Sequence, residues 1–224
     1  MSASLLFTLL LMSQEFFTAI RNGDEAAVSR LLDQSPQLLQ AKSPEGASPV
    51  LYAFYARKPH LAALFAARGA KYDLYEASAA GDLARVRALL AGNERAESFS
   101  PDGFTPLGLA VYFDRYEIAE LLLESGANAG TASRNRIAVA PLHSSIESGD
   151  PRLVRLLLSH GAPVDPVEFL GATPLHAAAM TGKTEIAMIL LDAGADRRAL
   201  TKDKKTPADL ARQHGHAGLA ALLE

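Results

Sequence analysis

Residues 173–196 read TPLHAAAMTGKTEIAMILLDAGAD. The Gly182-Lys183-Thr184 at their centre is how a phosphate-binding loop ends, so its reading separates a nucleotide-handling α/β fold from everything else. Such a loop needs a glycine five residues before the Gly-Lys pair, a strand ahead of it, and a helix opening at the Lys-Thr. Position 177 is Ala177, no glycine lies between Gly171 and Gly182, and the residues ahead pattern as a helix rather than a strand. The rest of the chain explains the stretch better. The same pattern opens at Thr105-Pro106-Leu107, at Ala140-Pro141-Leu142-His143 and at Thr206-Pro207-Ala208, and Pro106, Pro141, Pro174 and Pro207 are spaced 35, 33 and 33 residues apart. Gly182 is therefore punctuation inside a repeat, and no nucleotide site is expected.

Weaker copies extend the pattern upstream. Ser48-Pro49-Val50 opens one; YDLYEASAAGDLARVRALLAG (72–92) keeps the later part of another; QEFFTAIRNGDEAAVSRLLDQ (14–34) is the first. That makes about seven units over residues 14–224. Within a unit, Thr or Ser before Pro suits an N-cap followed by proline at the first helical position. A short helix follows and is broken by glycine at 23, 81, 149, 182 and 215. Asp24, Asp82 and Asp150 then suit N-caps of a second helix, whose apolar residues recur at i, i+3, i+4, as in Ile118, Leu121 and Leu122. Gly69, Gly126, Gly161 and Gly194 end it, where a left-handed cap is wanted. Neither helix can bury its apolar face alone, but stacked pairs share one continuous core.

A unit of 33 residues, helix–turn–helix, opened by T-P-L-H-x-A, resembles the ankyrin repeat. The resemblance covers almost the whole chain and looks closest to bacterial ankyrin proteins. It implies an all-α ankyrin-repeat solenoid of about seven helix–turn–helix units with short hairpin-like fingers, the first helices lining a concave side. It also implies that His143 and His176 are structural, hydrogen-bonding within and between units. Thr173 is at hand to partner His176, whereas Ala140 replaces that threonine beside His143. Two departures stand out. Pro49 to Asp73 is only 24 residues, which leaves no room for a full finger in GAKYDLYEA. The 35-residue unit carries two extra residues in ANAGTASRNRIAV, so its finger should be longer.

Composition narrows the function. The formal charge is −3 and there is no cysteine, so a global basic field for nucleic acid, disulfides, thiolate metal sites and thiol nucleophiles all drop out. The pair His214 and His216 alone does not make a metal site, and no cofactor or catalytic set is expected. Residues 1–13, with the apolar SLLFTLLLM (4–12), form an N-terminal extension or a misassigned start ahead of Met12. They are too short for a membrane span and lack the flanks of a typical export signal. A cytoplasmic monomer is expected, periplasmic or secreted if that segment is a signal.

The expected function is non-enzymatic: binding an unidentified protein partner through the concave groove and the finger tips. All six tyrosines lie between positions 52 and 116. Register places Phe104 on a finger and Tyr55, Tyr112, Phe113 and Arg115 late in first helices or in the interhelical turn. Arg134 and Arg136 extend the patch on the long finger. The competing reading is that these aromatics pack around the short junction, with Tyr72 and Tyr75 filling its gap and Phe54 in the core. Two alternatives remain: a nucleic-acid or acidic-ligand binder through the basic finger RRALTKDKK (197–205), and an enzyme or enzyme regulator with an unrecognised site. The repeat motif residues Thr105, Pro106, Pro141, His143, Thr173, Pro174, His176, Thr206 and Pro207 are expected to be architectural.

Overall fold

The computed structural model describes residues 3–224, with side chains from Leu10 onward. Among these residues the chain is all-helical and forms seven antiparallel pairs: α1 (Ala3–Asn22) with α2 (Glu25–Gln34), α3 (Pro49–Tyr55) with α4 (Pro59–Ala67), α5 (Leu74–Ala80) with α6 (Leu83–Ala91), α7 (Pro106–Tyr112) with α8 (Tyr116–Glu124), α9 (Pro141–Ser148) with α10 (Pro151–Ser159), α11 (Pro174–Met180) with α12 (Thr184–Asp192), and α13 (Pro207–Gln213) with α14 (Ala217–Leu223). First helices stack on first helices, and in the middle of the array second helices stack on second helices: α6 on α8, α8 on α10 and α10 on α12. No helix among the described residues is long and apolar enough to cross a membrane. The apolar start continues into α1 without a break. Met12 packs on the core while Leu10 and Leu11 are exposed; the side chains of residues 3–9 lie outside the described set.

The local signals act as read. Ser48, Thr105 and Thr206 accept hydrogen bonds from the backbone N–H of Leu51, Gly108 and Asp209. Asp24, Asp82 and Asp150 cap second helices through the N–H of Ala27, Arg85 and Arg152. The interhelical and terminal glycines have positive φ. Units 2 and 4 place Arg57 (φ 58°) and Asp114 (φ 59°) in the same left-handed turn without a glycine.

The interhelical turns also tie units together. Lys58, Arg115, Lys183 and His216 each lie across the interhelical glycine of the unit before: Gly23, Gly81, Gly149 and Gly182. Lys183 Nζ donates to the carbonyls of Ile146 and Glu147, and Arg115 Nε donates to that of Ala79 at 3.2 Å. These are helix C-terminal carbonyls, where a cation is favoured. The lysine of the phosphate-loop look-alike therefore caps the preceding unit's helix.

Fingers project between units. Four of them close by a hydrogen bond between residues four apart: Ser43–Ala47, Ser100–Phe104, Glu168–Ala172 and Thr201–Lys205. The fifth, Ser133–Val139, is two residues longer, as its spacing predicts. Backbone bonds join successive fingers: Arg134 N–H to Gly103 O, Phe169 N–H to Ile137 O, and Lys202 N–H to Leu170 O. The short junction between α4 and α5 has no finger. Finger 43–47 instead abuts finger 100–104 directly, so that a methyl group on Gly46 would stand 3.0 Å from Pro101 O.

His176 is fully buried. Its Nδ1 accepts from Thr173 N–H at 3.1 Å and lies 2.9 Å from Thr173 Oγ1, and its Nε2 faces Lys205 O at 3.1 Å. These partners require the neutral ring with hydrogen on Nε2. His143 reaches forward in the same way to Ala172 O, but its Nδ1 is buried without a partner, because Ala140 supplies no hydroxyl. Ala140→Thr should raise stability by about 1 kcal/mol, by adding an N-cap and satisfying that nitrogen, as read from the urea midpoint. Thr105 and Thr173 occupy the equivalent buried positions.

Burial holds both imidazoles below their ordinary pKa, against the smaller opposing effect of their carbonyl partners. The unfolded chain then binds protons first. Stability is full above about pH 6.5 and falls as pH drops below it. Urea midpoints measured through this range should decline in the wild type and flatten in a His143→Gln/His176→Gln variant.

Candidate functional site

The concave side of units 2–4 carries the aromatic cluster. α5 presents a short helix with three alanines and a serine, of sequence LYEASAA. Across it, Phe54 and Tyr55 of α3 meet Phe113, the C-cap residue of α7, and Phe104 of the finger before α7. The Tyr55 and Phe113 rings stack at 5.8 Å, Phe54 meets Phe113 at 5.6 Å, and Tyr55 meets Phe104 at 6.1 Å. Tyr112 stands edge-on to Phe113 at 5.0 Å and is 45% exposed. Such pairs contribute about 0.5–1.5 kcal/mol each beyond area burial.

The polar end of Tyr55 is fixed as well. Its hydroxyl donates to Asp102 Oδ2 at 2.8 Å, and Ser100 Oγ donates to Asp102 Oδ1 at 2.5 Å. Burial first, and Asp102 second, push the phenol well above its ordinary pKa. Tyr55 is thus a neutral donor joining α3 to the finger two units on, across the missing one.

Two depressions flank the aromatic ridge. The larger, about 640 Å³, lies on the finger side, with an apolar lining that includes Tyr52, Tyr55, Phe104, Leu109, Tyr112 and Ile137. Its rim carries Glu45, Asp102 and Arg136. The smaller, about 440 Å³, lies by the interhelical turns, between Arg57, Tyr112, Arg115 and Glu147.

Of the residues singled out from sequence, Tyr55, Phe104, Tyr112, Phe113 and Arg115 come together here. Phe54 is buried, as the repeat register implies. Arg115 is engaged with the Ala79 carbonyl and contributes only its flank to the smaller depression. Tyr72 plugs the short junction, donating to Ala62 O at 2.9 Å, and packs against the cores on both sides. Arg134 lies over the Phe99 ring at 3.7 Å, away from the groove lining, while Arg136 reaches it. The basic stretch 197–205 spans the last finger and the turn before it, whose Lys205 carbonyl faces His176.

Sequence reasoning did not identify Ile137, Leu109 or Tyr52 as groove residues. Ile137 was detectable as the largest apolar residue of its finger, SRNRIAV (133–139). Leu109 and Tyr52 become lining residues only because the finger between units 2 and 3 is missing. Glu76 was missed too. It stands where units 5 and 6 have His143 and His176, accepts from Asp73 N–H at 3.0 Å, and receives the Ser48 hydroxyl of the preceding unit at 2.6 Å. Burial pushes its carboxyl pKa up. Among the described residues no cluster of three metal-ligating side chains occurs.

Stacked helix pairs, beta-less fingers joined in series and the T-P-L-H network define a class of repeat proteins. Sequence profiles of that class match the chain, as a single ankyrin repeat over residues 102–135 and as three-copy ankyrin repeats over 142–224. The chain belongs to the ankyrin-repeat family, whose members are generally protein-interaction modules. It is 36% identical over 90 residues to "Putative E3 ubiquitin-protein ligase XBAT35" of Arabidopsis thaliana, covering 40% of this chain and 20% of that protein. It is 34% identical over 97 residues to Inversin of Gallus gallus, covering 43% of this chain and 9% of that protein. The matched region is thus a fifth or less of each relative's length. Both relatives are eukaryotic, so the expected link to bacterial proteins gains no support.

Proposed function

We propose that the protein binds a protein partner in the groove on the concave side of units 2–4, and that it does so without chemistry of its own. The observation that carries this reading is the apolar depression of about 640 Å³, with Tyr112 exposed on its wall and Tyr55 locked by Asp102. Rigid aromatic side chains bury much area while losing little conformational freedom on docking. Tyr55 and Phe113 hold the wall; Tyr112 and Ile137 are the surfaces a partner would touch. A monomer in the cytoplasm is the setting this reading takes, and the absence of cysteine is compatible with it.

The test compares the wild type with Tyr112→Ala/Ile137→Ser. Both side chains are exposed, so the variant's melting temperature should stay within a few degrees of wild type. A protein captured from the native source by the wild type should be lost from the variant, with affinity down at least about tenfold. Equal capture by both would place binding elsewhere on the molecule.

A further inference from the structure

Exposed large apolar side chains gather on the outer fingers of units 5–7. Ile137, Val167, Phe169, Leu170 and Leu200 are each more than half exposed. Isolated exposed apolar residues are ordinary, but a contiguous group marks an interaction surface. Contiguity here is set by the finger ladder: Phe169 N–H bonds Ile137 O and Lys202 N–H bonds Leu170 O. Neighbouring fingers are therefore in register, and their tips form one strip.

Cations are held on this strip. Lys202 Nζ lies 4.4 Å, and Arg136 Cζ 6.0 Å, from the centre of the Phe169 ring. The finger segments 132–139, 163–172 and 196–205 together carry seven Lys and Arg against four Asp and Glu, in a chain whose net charge is −3. Two of the four carboxylates are already occupied: Asp165 accepts from Asp196 N–H, and Asp196 accepts from Arg198 N–H. The strip is thus apolar along its middle and positive at its edges, while the rest of the molecule carries the negative excess.

We propose that the finger tips of units 5–7 form a second docking surface, which binds an acidic peptide segment carrying apolar anchors. Leu or Phe side chains of the peptide would lie on Phe169, Leu170 and Ile137. Its carboxylates would meet Arg136 and Lys202, which lie against the Phe169 ring before binding, and the neighbouring Lys204. Nucleic acid fits this surface less well, since it offers phosphates but no aliphatic side chains to cover the exposed apolar groups. The strip borders the groove and shares Ile137 and Arg136 with it, but it does not use Tyr55 or Tyr112, and Phe169, Leu170 and Lys202 belong to it alone.

The full chain should be screened against a random peptide library displayed on phage, and the enriched peptides measured by fluorescence anisotropy. The expected peptides combine Asp or Glu with Leu or Phe. Phe169→Ser/Leu170→Ser should weaken them at least about tenfold, while Tyr112→Ala leaves them unchanged. Arg136→Glu/Lys202→Glu should also weaken them and shift selection toward Lys-bearing peptides. These side chains are exposed, and folding is checked by circular dichroism. The proposal is overturned by no enrichment, by peptides without acidic bias, or by binding that survives both double variants or is lost only in Tyr112→Ala. Displacement of the peptide by duplex DNA or phosphatidylserine vesicles, with the same variants abolishing their binding, would assign the strip to that ligand instead.

Discussion

Gly103→Ala should cost the protein about 2–5 kcal/mol, more than the same change at Gly126. Both glycines have φ of +89°, so alanine at either meets the left-handed penalty of about 1–2 kcal/mol. Around Gly126 nothing lies within 4 Å of the added methyl group. At Gly103 the methyl group would stand 2.8 Å from Asn135 N and 3.1 Å from Arg134 C, both backbone atoms of the next finger. A flexible side chain could swing away; a backbone in a hydrogen-bonded ladder cannot, and overpacking of this kind typically costs about 1–3 kcal/mol. The bond from Arg134 N–H to Gly103 O, which sets the register of the two fingers, is the first to be lost. Urea unfolding of the two variants side by side separates the terms. Equal losses would mean that the finger contact is loose and that only the turn geometry matters.

Phe65→Ala should cost about 3–5 kcal/mol, the usual range for removing a buried phenylalanine, and its damage should be local. Phe65 is fully buried, with its ring 5.8 Å from that of Phe16. It belongs to a core of units 1–4 built on Phe16, Ile20, Leu61 and their neighbours. A second core runs from Leu74 to Leu223 through the later units. The two meet at α5, where Ala77 belongs to the later core and Ala79 to the earlier one. In a linear array each unit is stabilised by its neighbours alone. Hydrogen exchange should therefore lose protection in α1–α4 of the variant while α9–α12 stay near wild type. Uniform loss along the chain would mean that the array unfolds as one cooperative unit despite its split core.

The repeat architecture was legible because its signals are local. Thr-Pro starts, glycine breaks and Asp caps each act within a few residues, and seven imperfect copies reinforce one another. The longer finger at 133–139 was legible from spacing alone. Contacts between units were harder to read. That Lys183 reaches back to Ile146 and Glu147 depends on a turn 33 residues earlier having no side chain at Gly149. Arg57 and Asp114 gave no warning of positive φ, since the turn they occupy is set by the helices on either side. The groove was half legible: the aromatics were seen, but whether they packed or projected depended on how two non-adjacent units met. Tyr55 and Phe113 pack together, whereas Tyr112 projects. The finger-tip strip was seen only through its charges, because VEFLG at 167–171 reads as a short apolar run until its loop position is known.

The missing finger has one more consequence. Between units 2 and 4 the helical layer contains three members while the finger layer contains two, and Gly46 closes directly on Pro101. With one finger fewer, the finger layer spans three helical units with two members in direct contact. The hollow of about 640 Å³ lies there, lined by Tyr52 from one side and Tyr112 from the other. The groove is made by what the chain leaves out, and an ordinary finger restored at residues 69–73 would come between finger 43–47 and finger 100–104 and draw Tyr55 away from Asp102.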